Sequence, residues 1–145
     1  MKQVLKYIML VLIVLNFIGI YDVSAQSNNK RAVFMLPENI KWKPMSGPPG
    51  VVSADLWGNE TKGAYGGFTK FPAGFKAPLH YHTNDVKIVV IQGAYTYNGK
   101  EYGPGSYVFI PAGLKHESGG VENSETIFFI EQPGKFDVKP VGQKK

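Results

Sequence analysis

The stretch from Gly74 to Gly93, GFKAPLHYHTNDVKIVVIQG, and the stretch from Gly105 to His116, GSYVFIPAGLKH, together decide the fold. Both combine runs of β-branched and aromatic residues with glycine and proline at intervals too short for a helix of ordinary length. The pattern continues on either side of them, and 145 residues suffice to enclose one hydrophobic core. The sequence therefore predicts a single all-β domain, either a sandwich or a barrel.

Short strands are predicted wherever an apolar run lies between turn residues. Asn98-Gly99 is the clearest turn, because both residues tolerate positive φ at the centre of a type I′ hairpin. This hairpin joins residues 94–97 to residues 100–102. The predicted strands are 32–36, 51–57, 68–71, 78–82, 86–97, 106–110, 126–132 and 136–138.

The three histidines of the chain are the residues best suited to a functional site. His80 and His82 alternate on one predicted strand, so their side chains leave the same face. His116 follows after a hairpin, from which an antiparallel strand can return beside the first. Imidazole is a common ligand of divalent metals, and the chain has no cysteine that could offer a thiolate. The alternative is three unrelated polar residues, which is the more usual role of a lone histidine.

The glycines and prolines around these histidines resemble the two motifs of the cupin superfamily. The matching residues are Gly74, His80, His82 and Gly93 for the first motif and Gly105, Pro111, Gly113 and His116 for the second. The resemblance implies a single antiparallel cupin barrel, the double-stranded β-helix or jelly roll. It also implies that His80, His82 and His116 bind one divalent metal ion, which would be zinc, iron, manganese, copper or nickel.

Further residues resemble the small RmlC-like cupins of the DUF4437 and ChrR-like group, most of which have no known function. These residues are Leu56-Trp57-Gly58, His80-Tyr81-His82-Thr83, Gly105-Ser106-Tyr107 and Phe136-Asp137-Val138. The resemblance specifies the fold more closely than the reaction. Cupins often pair through their sheets, so a homodimer is a further expectation.

Two positions depart from the cupin motifs. The glutamate of the first motif is replaced by Val86 or by Lys87, depending on which of two motif spacings applies. Asp85 could supply a carboxylate instead, although we favour its interpretation as a turn residue. Gly120 replaces the final asparagine of the second motif, and we expect this to be a tolerated change in a turn.

Lys87 has two interpretations, because a shift of one residue in register exchanges the two faces of a strand. With its side chain inside the barrel, Lys87 would be a catalytic residue, serving as a clamp for a substrate carboxylate or as a base with a lowered pKa. With its side chain outside, it would be a solvated lysine.

The N-terminal residues have the pattern of a secretory signal. Lys2 and Lys6 precede an apolar run over residues 7–21, and Val23-Ser24-Ala25 offers small residues for cleavage. A membrane anchor is the alternative, but a spanning helix needs roughly 20 apolar residues. We expect cleavage after Ala25, a cupin domain over residues 26–145, and a periplasmic or secreted protein without membrane attachment.

The net charge and the predicted histidine site together limit the classes of function that fit this sequence. The formal net charge of +5 is spread along the chain without a basic stripe, which argues against nucleic acid as a partner. We expect a small-molecule ligand and favour a metal-dependent enzyme of oxygenase, isomerase or lyase type that acts on a small polar molecule. The alternative, favoured by the missing glutamate, is a non-catalytic cupin that binds a small molecule or sugar and has lost its full metal-ligand set.

Overall fold

The computed structural model describes residues 31–45 and 47–142. The expected signal peptide and its cleavage site at Ala25 lie outside the described residues. Contacts within the chain separate Met1–Phe34 from a compact unit, Met35–Lys145, which contains all the regular elements described below. Among the described residues, no helix is long and apolar enough to cross a membrane.

Within residues 31–45 and 47–142, the regular elements are strands, apart from one 3-10 turn at Pro37–Asn39. In chain order they are β1 Lys43–Pro44, β2 Val52–Gly58, β3 Tyr65–Phe71, β4 Lys76–Tyr81, β5 Val86–Gln92, β6 Tyr95–Tyr97, β7 Lys100–Tyr102, β8 Tyr107–Ile110, β9 His116–Gly120, β10 Thr126–Gln132 and β11 Lys139–Pro140.

The strands form two antiparallel sheets with a jelly-roll arrangement. The larger sheet has the order β1-β2-β3-β10-β5-β8, and the smaller has the order β11-β4-β9-β6-β7. Side chains from both sheets meet between them: Phe128 of the larger sheet lies 5.3 Å from Tyr95 of the smaller, measured between ring centroids. The predicted all-β jelly-roll fold is therefore confirmed.

Buried and more exposed residues alternate along strands of the larger sheet, and the buried ones form the core. In β5, Val86, Ile88 and Val90 are buried while the residues between them are exposed. The same period of two runs through β10, where Phe128 and Ile130 face inward. Such a pattern is expected of an antiparallel sheet with one face packed on a core, because successive side chains point to opposite faces.

The predicted elements agree with the structure in part. The Asn98-Gly99 hairpin is confirmed, with φ angles of 48° and 78° that place both residues in the left-handed region. The predicted strands 32–36 and 136–138 are wrong, because neither segment forms strand pairs. The predicted strand 86–97 is divided at Gly93. Strand β9, which carries His116, was not predicted.

Gly120 lies in a strand and not in the expected turn. It is buried in β9 and pairs with Tyr95 of β6. A Cβ atom at this position would lie 2.8 Å from Thr126 Oγ1 and 3.5 Å from Phe71 Cβ. The change from asparagine therefore fits a place where the backbone of β9 closely approaches the larger sheet.

Candidate metal centre

Two adjacent strands bring the three histidines together. The antiparallel register of β4 and β9 places His80 directly opposite His116, with ring centroids 4.3 Å apart. His82 follows the end of β4 and shares the face of His80, and its centroid lies 5.1 Å from that of His80 and 5.4 Å from that of His116. The candidate ligand atoms of the three residues all lie within 4.8 Å of one another.

Backbone carbonyls fix the orientation of each ring. Nδ1 of His80 lies 2.7 Å from the carbonyl oxygen of Pro78, and Nδ1 of His116 lies 3.0 Å from that of Leu114. Nδ1 of His82 lies 2.5 Å from the carbonyl oxygen of Asp137. A carbonyl oxygen only accepts, so Nδ1 must carry the proton and donate it, which leaves a lone pair on each Nε2.

The surroundings of His116 Nε2 indicate whether the three histidines could hold a metal ion. The residue has no exposed surface, and its Nε2 has no hydrogen-bond partner among the described residues. An unpaired buried acceptor costs on the order of 1–3 kcal/mol. A metal ion shared with His80 and His82 would satisfy it, so the residues present fit a divalent ion held by three imidazoles.

Burial favours the neutral form that a ligand requires in His82 and His116. It lowers the pKa of His82 from 6.5 to about 4, and the nearby His80 and His116 act in the same direction. The hydrogen bond to the Asp137 carbonyl and the charge of its carboxylate oppose this shift without cancelling it. Burial also lowers the pKa of His116. At neutral pH both rings therefore present uncharged nitrogens.

His80 and His82 border an internal cavity of about 750 Å³. Its walls are largely aromatic and aliphatic, and include Phe71, Phe75, Phe128, Phe136, Ile88 and Ile130. His116 has no exposed surface of its own and stacks on Tyr97, with ring centroids 5.2 Å apart and planes at 19°. An apolar cavity with a few convergent polar groups is the usual form of a small-molecule site.

The structure places Val86, and not Lys87, at the inward position of the missing glutamate. Val86 is 1% exposed and borders the cavity. Lys87 faces outward on β5, where its Nζ lies 2.8 Å from Glu131 Oε1, and this hydrogen bond raises the pKa of Lys87. Lys87 therefore has the position of the solvated lysine. The expected catalytic role, as a clamp or a base with lowered pKa, does not fit its outward face or its raised pKa.

Asp85 has the structural role that we favoured. Its Oδ1 accepts a hydrogen bond of 2.8 Å from the backbone N–H of Ala112. This bond joins the loop between β4 and β5 to the loop that leads into His116. Asp85 is absent from the group of candidate metal ligands found among the described residues.

The loop between β10 and β11 contributes to the site in a way that the sequence did not predict. Asp137, in this loop, orients His82 through its carbonyl oxygen. Its carboxylate accepts hydrogen bonds from the backbone N–H of Thr83 at 3.0 Å and from the Thr83 hydroxyl at 2.8 Å. Phe136-Asp137-Val138 had resembled the cupin subset, and this resemblance was the one available signal.

The jelly roll and the three adjacent histidines, two of which border the cavity, give this protein the fold and the histidine cluster of a cupin. The chain belongs to the DUF4437 family, a domain of unknown function, whose model matches residues 34–144. The predicted resemblance to cupins of this group is confirmed. No protein of curated function matches the sequence.

Solved structures share the fold at low sequence identity. The polyketide cyclase RemF from Streptomyces resistomycificus is 17% identical with a TM-score of 0.66, over 79% of this chain and 89% of that one. An RmlC-like cupin from Ralstonia eutropha is 21% identical with a TM-score of 0.59, over 75% and 79%. KdgF from Halomonas sp. is 20% identical with a TM-score of 0.54, over 71% and 94%. At these identities the similarity shows the fold alone.

Proposed function

We propose that this protein is an exported, metal-dependent cupin enzyme that acts on a small polar molecule in its internal cavity. The observation that carries the proposal is the common geometry of His80, His82 and His116. Each Nδ1 lies against a carbonyl oxygen, which leaves each Nε2 free, and the candidate ligand atoms of the three residues lie within 4.8 Å of one another. Three rings held in this way match the ligand set of a catalytic site better than three independent core histidines.

The histidines, Val86 and Phe136 would have different roles in binding a substrate. A divalent ion held by three neutral imidazoles would keep its full charge and would polarise a carbonyl or carboxylate oxygen of the substrate. Val86 adds an apolar wall where a carboxylate would reduce that charge. Phe136, whose ring centroid lies 6.1 Å from that of His82, helps to exclude water from the same side.

Elemental analysis of the protein purified from expression of the full chain tests this proposal. We expect about one equivalent of zinc, iron, manganese, copper or nickel. His116→Ala leaves two imidazoles, so it should lose most of the metal while its circular dichroism spectrum remains that of a β protein. Glu131→Gln, at an exposed outer position, is the matched control. Equal metal content in His116→Ala and the control would contradict a shared site.

A second candidate function is a binding module without chemistry, and the buried Val86 is the observation that favours it. A site that has exchanged an anionic ligand for an apolar side chain holds a metal less tightly. Ligand binding that is equal in chelated and metal-loaded protein would favour this second function. Ligand binding that requires the metal would favour the enzyme.

Export is proposed from the sequence pattern of residues 1–25. The charged start, the apolar run and Val23-Ser24-Ala25 support cleavage after Ala25. N-terminal sequencing of the protein recovered outside the cytoplasm should begin at Gln26. A protein that still begins at Met1 would contradict the proposal.

A further inference from the structure

A second polar group borders the cavity, on the larger sheet. The register of β1, β2 and β3 places Lys43 opposite Ser53 and Ser53 opposite Thr69. Directly opposite side chains in an antiparallel pair have Cβ atoms about 5 Å apart. Glu60, from the loop between β2 and β3, reaches this row: its Oε1 accepts a hydrogen bond of 2.8 Å from Ser53 Oγ. Glu60 and Thr69 both border the cavity that His80 and His82 border.

The Glu60 carboxylate is held in place by contacts to one of its two oxygens, Oε1. Its Oε1 accepts from Ser53 and lies 3.3 Å from Lys43 Nζ, while Lys43 also lies 2.7 Å from Asp55. Glu60 is 4% exposed, and the contacts with Ser53 and Lys43 are both made by its Oε1. A buried carboxylate oxygen beside a cavity is an acceptor available to a ligand.

Thr69 is an independent sign of a ligand. Its residue is 2% exposed, and its Oγ1 has no hydrogen-bond partner among the described residues. A hydroxyl buried without a partner is costly, and valine would fill the same volume without that cost. Thr69 is one of the residues that border the cavity, so a ligand bound there could supply the missing partner.

We propose that Glu60 and Thr69 bind a hydroxyl group of the ligand whose other end reaches the three histidines. The inference rests on the proposed function and deepens it by naming a ligand class. Three neutral imidazoles around a divalent ion favour an anionic oxygen at the histidine end. The phenylalanines of the cavity wall favour an aromatic body between the two ends. The ligand class is therefore a hydroxylated aromatic carboxylate.

A hydroxyl group suits this pair better than an ammonium group. A ligand hydroxyl can donate to the Glu60 carboxylate and accept from the Thr69 hydroxyl, so one oxygen satisfies both. An ammonium group has no lone pair and would leave the Thr69 proton without an acceptor. Lys43, 3.3 Å from Glu60 Oε1, also opposes a second cation at this carboxylate.

Phe136 connects the two sides of the cavity. Its backbone N–H donates to the Glu60 carbonyl oxygen at 2.7 Å, while its ring faces His82 at 6.1 Å. One residue therefore contacts the loop that carries Glu60 and packs beside a candidate metal ligand.

The test uses probe pairs that differ by one hydroxyl group. The pairs are 4-hydroxybenzoate with benzoate, 4-hydroxyphenylacetate with phenylacetate, and 3-(4-hydroxyphenyl)propanoate with 3-phenylpropanoate. Calorimetry measures each probe against the purified full chain, both loaded with zinc and chelated. We expect at least one pair to show about a tenfold or greater preference for the hydroxylated member, since one of its hydrogen bonds is to a charged group.

Substitutions assign that preference to its residues. Thr69→Val should abolish it, Thr69→Ser should restore it, and Glu60→Gln should weaken it. Thr126→Val is the matched control, because Thr126 is equally buried but its hydroxyl already donates to the Ala94 carbonyl at 3.0 Å. The zinc content of Thr69→Val should equal that of the wild type.

Each outcome bears on one proposal or the other. A hydroxyl preference that persists in Thr69→Val, or its absence from every pair in the zinc-loaded protein, would overturn this inference. Tighter binding of 4-(aminomethyl)benzoate than of any hydroxylated probe would overturn it as well, by assigning an ammonium group to Glu60. If zinc is not retained but the preference survives chelation and is lost in Thr69→Val, the metal centre fails and the hydroxyl site stands.

Discussion

At the scale of single residues, the site depends on which side chains of β5 face inward. Two motif spacings were compatible with the sequence, and they exchange the roles of Val86 and Lys87. The contacts of β5 with its neighbours resolve the choice, because Lys87 pairs with Glu131 of β10 on the outer face. The three histidines could therefore be identified from the sequence. The residue at the position of the missing glutamate could be assigned only when the register of β5 was known.

Two glutamate substitutions test this register. Val86→Glu should place a carboxylate beside His80 and His82 and tighten zinc binding by about tenfold or more, since an anionic ligand is added. The same substitution should destabilise the metal-free protein, because a buried carboxyl group then has no partner. Lys87→Glu should leave zinc affinity unchanged. Calorimetric titration of both variants checks this, and tighter zinc binding by Lys87→Glu would reverse the assignment.

The pKa of His82 predicts a loss of stability in acid for the metal-free protein. Its pKa is about 4 in the folded state against 6.5 in an unconstrained chain, so the unfolded state takes up the proton first. Stability from this group is complete above pH 6.5 and is lost as the pH falls towards 4, by about 3 kcal/mol in total.

Urea denaturation of the chelated protein at pH 7 and pH 4.5 measures this loss. The wild type should lose about 2 kcal/mol more between the two pH values than His82→Gln, which has no imidazole to protonate. Other groups that titrate in this range are common to both proteins. An equal loss in the two proteins would show that His82 is not protonated preferentially in the unfolded state.

At the scale of secondary structure, β9 is the strand that the sequence pattern did not indicate. Its residues His116-Glu117-Ser118-Gly119-Gly120 have little preference for strand, since two are glycines and the others are polar. The strand exists because β4 and β6 pair with it on either side. The type I′ turn, by contrast, is a local preference of two residues, and it was predicted correctly. The turn could thus be predicted from its own two residues. Strand β9 could not, because it depends on pairing with its neighbours.

Restoring the family's asparagine in β9 should be destabilising. Gly120→Asn would bring a Cβ atom to 2.8 Å from Thr126 Oγ1, inside the core, and we expect a loss of about 1–3 kcal/mol. Gly103→Asn is the control, because no atom lies within 4 Å of a Cβ there and its φ is not positive. Thermal denaturation compares the two, and equal melting temperatures would contradict the close approach of β9.

The loop between β10 and β11 should tune metal binding without supplying a ligand. Asp137→Ala removes both hydrogen bonds to Thr83 and loosens the carbonyl that orients His82. We expect about a tenfold loss of zinc affinity with little change in the circular dichroism spectrum. Thr83→Val, which removes the hydroxyl bond alone, should have a smaller effect. Wild-type affinity in Asp137→Ala would mean that His82 is oriented without this loop.

At the scale of the whole molecule, the aromatic core and the candidate metal ligands are different residues. Phe71, Tyr95 and Phe128 pack together between the sheets, with centroid distances of 4.9 Å and 5.3 Å from Phe128 to the other two. None of these three is a candidate ligand. The short runs of β-branched and aromatic residues between glycines and prolines are visible in the sequence, which is why the fold class was predicted. The reaction was not, because cupins with different chemistry share the same core.

Because the aromatic core contains none of the candidate metal ligands, we expect the protein to fold without metal. With chelator present, the far-ultraviolet circular dichroism spectrum should remain that of a β protein. The melting temperature should rise when zinc is added, because zinc binds the folded state. A disordered spectrum in chelator would instead make the metal structural.

The contact between His82 and Asp137 also sets an order of events in time. These residues are 55 positions apart, and the chain between them contains β5 to β10. The third imidazole acquires its final orientation only after those strands have paired and the following loop has returned to β4. A metal ion that binds all three rings in their final orientation would therefore bind late in folding, after this contact has formed.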